Sequence, residues 1–254
     1  MRMAQSGFFL GFALLAASCG WAQTAPAEKS LDPRYAIGAL KYSDDFSNGL
    51  ANWVNELEHG GSISAKNGGL DIDVPAGCCV WFKPLLRGPL MIEYEATVLS
   101  AGGANDRVSD LNCFWMARDP RGADDFFAHP RSGKFTDYDQ LLTYYVGLGG
   151  NTNTTTRFRR YIGQQDNRPL LPQNDLRDKP DLIVANQSQA LRLVASGNLI
   201  QFWRNEKKIF ELNDPQPYTD GWFAFRTTKN HMLVKNFRVF ELQPLSPATT
   251  QSAP

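Results

Sequence analysis

Helical periodicity, long apolar runs and charge of one sign are all scarce in this sequence, and each scarcity removes a class of protein. The longest apolar stretch, residues 8–17 with Gly11 inside it, is about half of the roughly twenty residues that a bilayer-spanning helix needs. No later segment is long and apolar enough to span one. Lysine plus arginine and aspartate plus glutamate number 26 each, for a formal net charge of zero. No global field therefore favours nucleic acid or an anionic membrane surface. Histidine occurs only three times, and no cysteine pair has zinc-ligand spacing with a histidine nearby. No metal site and no cofactor are expected on that basis. A helix is credible only over residues 137–142, and there is no internal repeat.

What is present begins with an export signal. Arg2 gives a short basic start, the apolar run follows, and Gly20 and Ala22 occupy the −3 and −1 positions of a cut before Gln23. That order reads as a secretory signal peptide over residues 1–22. Ala16-Ala17-Ser18-Cys19-Gly20 also loosely resembles a lipoprotein box but lacks the leucine three residues before the cysteine. Soluble export, to the periplasm or beyond, is the expectation, with a lipid anchor at Cys19 as the alternative. Residues 23–34 read as a flexible lead-in, 35–243 as one β-rich domain, and 244–254 as a disordered tail of Pro, Ser, Thr and Ala. Removing the signal leaves Cys78, Cys79 and Cys113, an odd set. One disulfide from Cys113 to Cys78 or Cys79, or buried free thiols, both fit it.

Period-2 alternation carries the domain. Residues 70–74 read Leu-Asp-Ile-Asp-Val, and within 90–99 Ile92, Tyr94, Ala96 and Val98 share one face opposite Glu93, Glu95 and Thr97. Short runs follow at 111–117, 142–148, 157–162, 190–195, 200–204, 207–212, 222–227 and 233–242, separated by Gly, Asn, Asp and Pro. This pattern predicts a sandwich or barrel rather than alternating βα units. Ser196-Gly197-Asn198 and Arg204-Asn205-Glu206-Lys207 predict hairpin turns. Residues 164–186, with several prolines, predict an ordered excursion over one end.

Three pieces together resemble concanavalin A-like lectin/glucanase domains. They are Asp44-Asp45-Phe46 with Trp53, the 191–212 hairpin ending Ile209-Phe210, and Gly221-Trp222-Phe223-Ala224-Phe225-Arg226 followed by Val234-Lys235-Asn236-Phe237-Arg238-Val239. The middle carries Asp106-Arg107-Val108-Ser109-Asp110-Leu111-Asn112-Cys113-Phe114-Trp115, Tyr144-Tyr145-Val146-Gly147-Leu148-Gly149-Gly150-Asn151 and Thr154-Thr155-Thr156-Arg157-Phe158-Arg159-Arg160-Tyr161. It is similar to secreted bacterial proteins encoded with polysaccharide-degrading enzymes. The resemblance implies an all-β, two-sheet antiparallel β-sandwich, the concanavalin A-like jelly roll, whose concave face holds a glycan. It also implies that Asp44 and Asp45 could contribute to a structural calcium. The superfamily contains hydrolases, lyases and lectins, so the fold does not choose among them.

Side-chain chemistry narrows the partner. If Phe158 and Ile162 fill the core, Arg157, Arg159 and Tyr161 face the groove, a row of donors suited to carboxylate or sulfate. Arg160 then falls on the core phase and requires a bulge, an edge or a buried acid. If Phe114 and Met116 point inward, Trp115 is free to stack on a sugar. By the same phase Tyr145 and Thr143 face the groove, and Asn151 and Arg226 complete the substrate-binding set.

The expected function is a polysaccharide lyase acting on an acidic polysaccharide or oligosaccharide. Arg157 and Arg159 neutralise the uronate carboxylate, and Tyr145, Tyr161 or His231 takes the C5 proton, a tyrosine being activated by neighbouring arginines. A non-catalytic glycan-binding domain is the alternative. A hydrolase built on Glu93 and Glu95 is a third, although Met91 and Thr97 stand where a further acid belongs and both glutamates read as solvent-facing. Asp106, Asp110, Asp119 and Asp125 are loop acids able to orient arginines.

Overall fold

The computed structural model describes residues 29–122 and 125–245; the export signal, Cys19 and the end of the tail lie outside them. In chain order the strands are β1 (Tyr35–Asp44), β2 (Trp53–Leu57), β3 (Ser62–Lys66), β4 (Gly69–Val74), β5 (Cys78–Phe82), β6 (Leu86–Arg87), β7 (Leu90–Val98), β8 (Leu111–Arg118), β9 (Leu142–Gly149), β10 (Thr155–Ile162), β11 (Asp175–Leu176), β12 (Gln189–Ser196), β13 (Leu199–Arg204), β14 (Lys207–Asn213), β15 (Asp220–Thr227) and β16 (Asn230–Pro244). They form two antiparallel eight-stranded sheets. The first runs β14-β13-β12-β7-β16-β4-β3 with β1 also on β16; the second runs β11-β10-β9-β8-β15-β5-β2 with β6 on β15. This is the two-sheet jelly roll. Where a helix was expected, only a 3-10 turn at Phe135–Tyr138 forms.

Alternation explains the core. Leu70, Ile72 and Val74, then Ile92, Tyr94, Ala96 and Val98, point between the sheets and meet Val146, Phe158, Phe223 and Phe225 from the other side. Each such side chain contributes about 1.5–3 kcal/mol on burial. Asn236 breaks the pattern usefully. At φ 54° it takes the left-handed conformation that asparagine tolerates, and the β16–β7 register shifts there. The bulge re-aims the chain, so that Phe237 packs fully buried in the inter-sheet core.

Strand β8 departs from the expected phase. All its residues but the last are buried, so apolarity marks neither face. Trp115 pairs with Tyr144, and both lie in the inter-sheet core. Met116, at φ 53°, forms a bulge that puts a second successive side chain into that core. Phe114 faces outward instead.

The outer face of the second sheet is covered. Segment 119–141, between β8 and β9, lays Phe126, Tyr138 and Leu141 over Trp81, Phe114, Tyr145, Tyr161 and Trp222 as a second core. Beneath it Glu56 accepts hydrogen bonds from Trp81 Nε1 at 2.7 Å, Tyr138 Oη at 2.9 Å and Arg131 Nε at 3.1 Å. On the first sheet's outer face, residues 30–34 of the lead-in make specific contacts. Leu31 packs against Trp203 and its neighbours, and Gln201 donates to buried Asp32 at 2.8 Å. Cys78, Cys79 and Cys113 are buried free thiols, not a disulfide; burial is what pushes each thiol's pKa up.

Candidate functional site

Strand register builds the site. Across the second sheet Arg226 of β15 pairs with Asn112 of β8, Asn112 with Gly147 of β9, Gly147 with Arg157 of β10, and Arg157 with Asp175 of β11. One step along, Ala224, Phe114, Tyr145 and Arg159 form the next rung. Being two residues apart on each strand, the rungs share the outer face. Gly147 leaves a gap in the first rung, and the Tyr145 ring leans into it. A Cβ on Gly147 would stand 3.0 Å from the Tyr145 hydroxyl oxygen. The gap deepens into a cavity of about 290 Å³, rimmed by Arg107, Thr228, Phe135 and the turn after β9. That is near the small end of ligand sites.

The lining is cationic: Arg107, Arg157, Arg159 and Arg226 against the single carboxylate of Asp110. Two of these arginines have acid partners. Arg107 bonds Asp110 and Thr228. Arg157 forks onto Asp175, Nε to Oδ1 at 2.8 Å and Nη2 to Oδ2 at 3.2 Å, which with Arg177 holds the Asp175 carboxyl down at about 2. The other two have no acid partner among the described residues. Half-buried Arg159 donates to the Arg168 carbonyl; burial, with Arg157 and Arg168 close by, lowers its pKa.

Arg226 is the extreme case. It is 1 % exposed, donates one N–H to the Gly133 carbonyl at 2.7 Å, and lies over the Phe135 and Tyr138 rings at 5.4 and 5.3 Å. Its buried Nε has no partner among the described residues. A desolvated charge left in that state costs several kcal/mol unless an anion offsets it. Tyr145 stands between these two cations, with no hydrogen bond to its hydroxyl among the described residues. Burial raises its pKa well above the usual tyrosine value and outweighs the opposing pull of Arg226. The expected activation by arginine does not prevail, and Tyr145 is a neutral donor.

The turn after β9 is strained. Asn151, Thr152 and Asn153 hold φ of 52°, 58° and 56°, a left-handed turn that asparagine tolerates but that costs Thr152 about 1–2 kcal/mol. Asn153 fixes it by pairing with both the N–H and the C=O of Ile183, each at 2.9 Å. Asn151 and Thr152 border the cavity, and strain of this kind concentrates at functional sites.

A family profile described as a domain of unknown function (DUF6250) matches residues 72–237, a span containing every rung residue. The chain belongs to that family. No curated protein matches it. Among solved structures it is similar to a protein of unknown function with a galectin-like fold from Bacillus subtilis, at 17% identity and TM-score 0.64 over 83% of this chain and 100% of that one. It is also similar to an endo-β-1,3-glucanase from Pyrococcus furiosus (10% identity, TM-score 0.53, 87% of this chain and 100% of that one). A carbohydrate-binding module, CBM66, from Bacillus subtilis follows at 10% identity and TM-score 0.50, over 75% and 96% of the two chains. At these identities the likeness establishes the concanavalin A-like fold and leaves activity to the site.

Of the residues expected to act, Tyr145, Arg157, Arg159, Asn151 and Arg226 meet in this one cavity. Others do not. Trp115 is in the inter-sheet core and cannot stack on a sugar. Tyr161 is on the outer face but fully buried, its ring 5.8 Å from Phe114 and 5.6 Å from Tyr145. Thr143 is likewise buried, bonded to the Trp115 carbonyl at 2.9 Å. His231 lies on β16 of the other sheet, its ring nitrogens 3.1 Å from Asp106 Oδ1 and 3.4 Å from Asp71 Oδ2. It steadies the loop that carries Arg107 and does not touch the cavity.

The remaining candidates have structural partners. Arg160 meets the buried acid its phase required, Asp214, at 2.7 Å. Glu93 is bonded by Arg192 and Arg238 rather than solvent-facing. With Glu95 it lies on the outer face of the first sheet, so the pair cannot serve this cavity as hydrolytic acids. Asp44 accepts from Phe46 N–H at 2.7 Å and Trp53 Nε1 at 2.9 Å. Among the described residues no group of three or more His, Cys, Asp or Glu could hold a metal. Arg107, Asn112, Phe135, Gly147 and Thr228 went unread. Asn112 becomes visible only with the correct phase of β8.

Proposed function

We propose that this protein binds an acidic glycan, seating a carboxylate- or sulfate-bearing sugar against Arg226 and Arg159. The observation that carries the reading is Arg226, a fully buried guanidinium with an unpartnered Nε in the wall of a cavity. An apolar side chain there would leave the free protein about as stable or more so; a bound anion supplies the missing counter-charge. Tyr145 and Asn151 add neutral donors suited to sugar hydroxyls. The likeness to a carbohydrate-binding module and a β-1,3-glucanase supports a glycan over other anions. The export signal read over residues 1–22 is in keeping with an encounter with such glycans outside the cytoplasm. Calorimetric titration with uronate and sulfated oligosaccharides tests this. Saturable binding that disappears in Arg157→Ala and Arg159→Ala is expected; binding that survives both moves the site elsewhere.

A second reading, β-elimination, rests on Tyr145. Its protonated hydroxyl can donate to the departing glycosidic oxygen while the arginines hold the charge that develops on the uronate and the C5 proton passes to solvent water at the open mouth of the cavity. Neither His231 nor Tyr161 reaches the cavity as the base, which is why binding stands first. Accumulation of an ultraviolet-absorbing unsaturated uronate, lost in Tyr145→Phe, would bring elimination to the front.

A further inference from the structure

We infer that the cavity receives the end of a glycan chain and not a stretch from its interior; the inference rests on the acidic-glycan reading above. In a jelly roll an uncovered sheet face offers a groove along which a polymer can lie. Here that face is occupied. Phe126 stacks on Trp222 at 4.6 Å and meets Trp81 edge-on at 4.7 Å, while Tyr138 stacks on Phe114 at 5.5 Å. Arg131 ties the cover down through Glu56 at 2.9 Å and Asp119 at 3.3 Å, with all three side chains buried. These are the contacts of a core rather than of a lid. Displacing even one such aromatic would expose it to water and leave a void in that core.

The walls then decide how a ligand can continue. On the β15 side stands Phe135, at the start of the 3-10 turn in the cover. The Arg226 guanidinium is itself bonded to the cover through the Gly133 carbonyl. Toward the C-terminal end of β9, Arg107 is locked to Asp110 and Thr228, and the left-handed turn is pinned through Asn153 to Ile183. A sugar whose acid group meets Arg226 faces Phe135 and the Gly133 carbonyl on the covered side. Its chain can leave only past Arg157 and Arg159 or outward to solvent. The ligand class is thus an oligosaccharide or polysaccharide whose terminal residue carries the carboxylate or sulfate.

Titration calorimetry with galacturonate oligomers of increasing length and with polygalacturonate, beside a matching series of sulfated galactan fragments, reads affinity and stoichiometry per chain. End-on seating predicts that one protein binds each terminus whatever the chain length, and that affinity stops rising after the first few residues. The series that binds identifies the anionic group. Several proteins loading along one polymer, with affinity climbing with length and lost in Arg226→Met or Arg159→Ala, overturns the end-on inference and leaves the acidic-glycan site standing. Binding of neither series, or binding indifferent to both substitutions, removes the acidic-glycan reading and this inference with it.

Discussion

Arg226 separates a structural from a functional account, because the two predict opposite effects of removing its charge. Arg226→Met keeps much of the side chain's length and loses a buried cation with no acid partner among the described residues. Replacing such charges by apolar groups is often neutral or stabilising by about 1–4 kcal/mol, against about 1.5–3 kcal/mol for the lost charged bond to Gly133. We expect an unchanged or raised melting temperature together with a loss of glycan affinity of about tenfold or more, the worth of a charged hydrogen bond. A lowered melting temperature with binding intact would make Arg226 a scaffold residue.

Gly147 gives a second prediction at the same scale. Its added Cβ would crowd Tyr145 at 3.0–3.4 Å. Gly147→Ala should therefore leave melting nearly unchanged while weakening binding by up to about tenfold, the range of a neutral hydrogen bond; calorimetry and thermal melts check both. The outward direction of Arg157 and Arg159 was legible because Phe158 between them is the apolar member of an alternating strand. Trp115 was not, since in β8 both faces are buried and only the Met116 bulge and the Tyr144 register reveal its direction.

At the scale of elements, strands with one wet face could be read and strands with two dry faces could not. The apolar stripes of β4 and β7 announced themselves through acidic alternation. Cys78–Phe82, buried throughout, shows no alternation, and its role as the strand between β15 and β2 had no local signal. The cover over residues 119–141 gave no sign of packing on the sheet, because Phe126 and Arg131 are spaced without period and Tyr138 falls in the stretch expected as helix. The lead-in is similar: its hold depends on Asp32, Arg34 and Glu211, which are far apart in sequence. Arg34 hydrogen bonds, helped by Lys208 and Gln201, lower Glu211 from its ordinary 4.5 to about 2, and Asp32 is lowered too, chiefly by Arg34. A depressed carboxyl stabilises above its unfolded pKa and loses that contribution as pH falls through the folded value. Amide protection of residues 30–34 should hold at pH 5–8 and fade between about pH 4 and 2, ahead of the core strands. Protection that persists to pH 2, or goes only with global unfolding, would show that apolar packing of Leu31 alone holds the segment.

For the whole molecule, the jelly roll was readable from its closing strands and hairpins, whereas the shape of its site was not. An uncovered concave groove was the expectation, and a small arginine-lined cavity beside an aromatic cover is the finding. The difference matters for chemistry. A groove selects polymers by length, but a small cavity lined by arginines selects one residue by its charge. The most direct measurement compares a uronate oligosaccharide with its carboxyl-reduced neutral counterpart, identical in linkage and length, by calorimetry at fixed salt. Recognition of the acid by Arg226 and Arg159 predicts that reducing it lowers affinity by about tenfold to a hundredfold, since the buried arginine donors are left unpaired. Equal affinity for the two would contradict it.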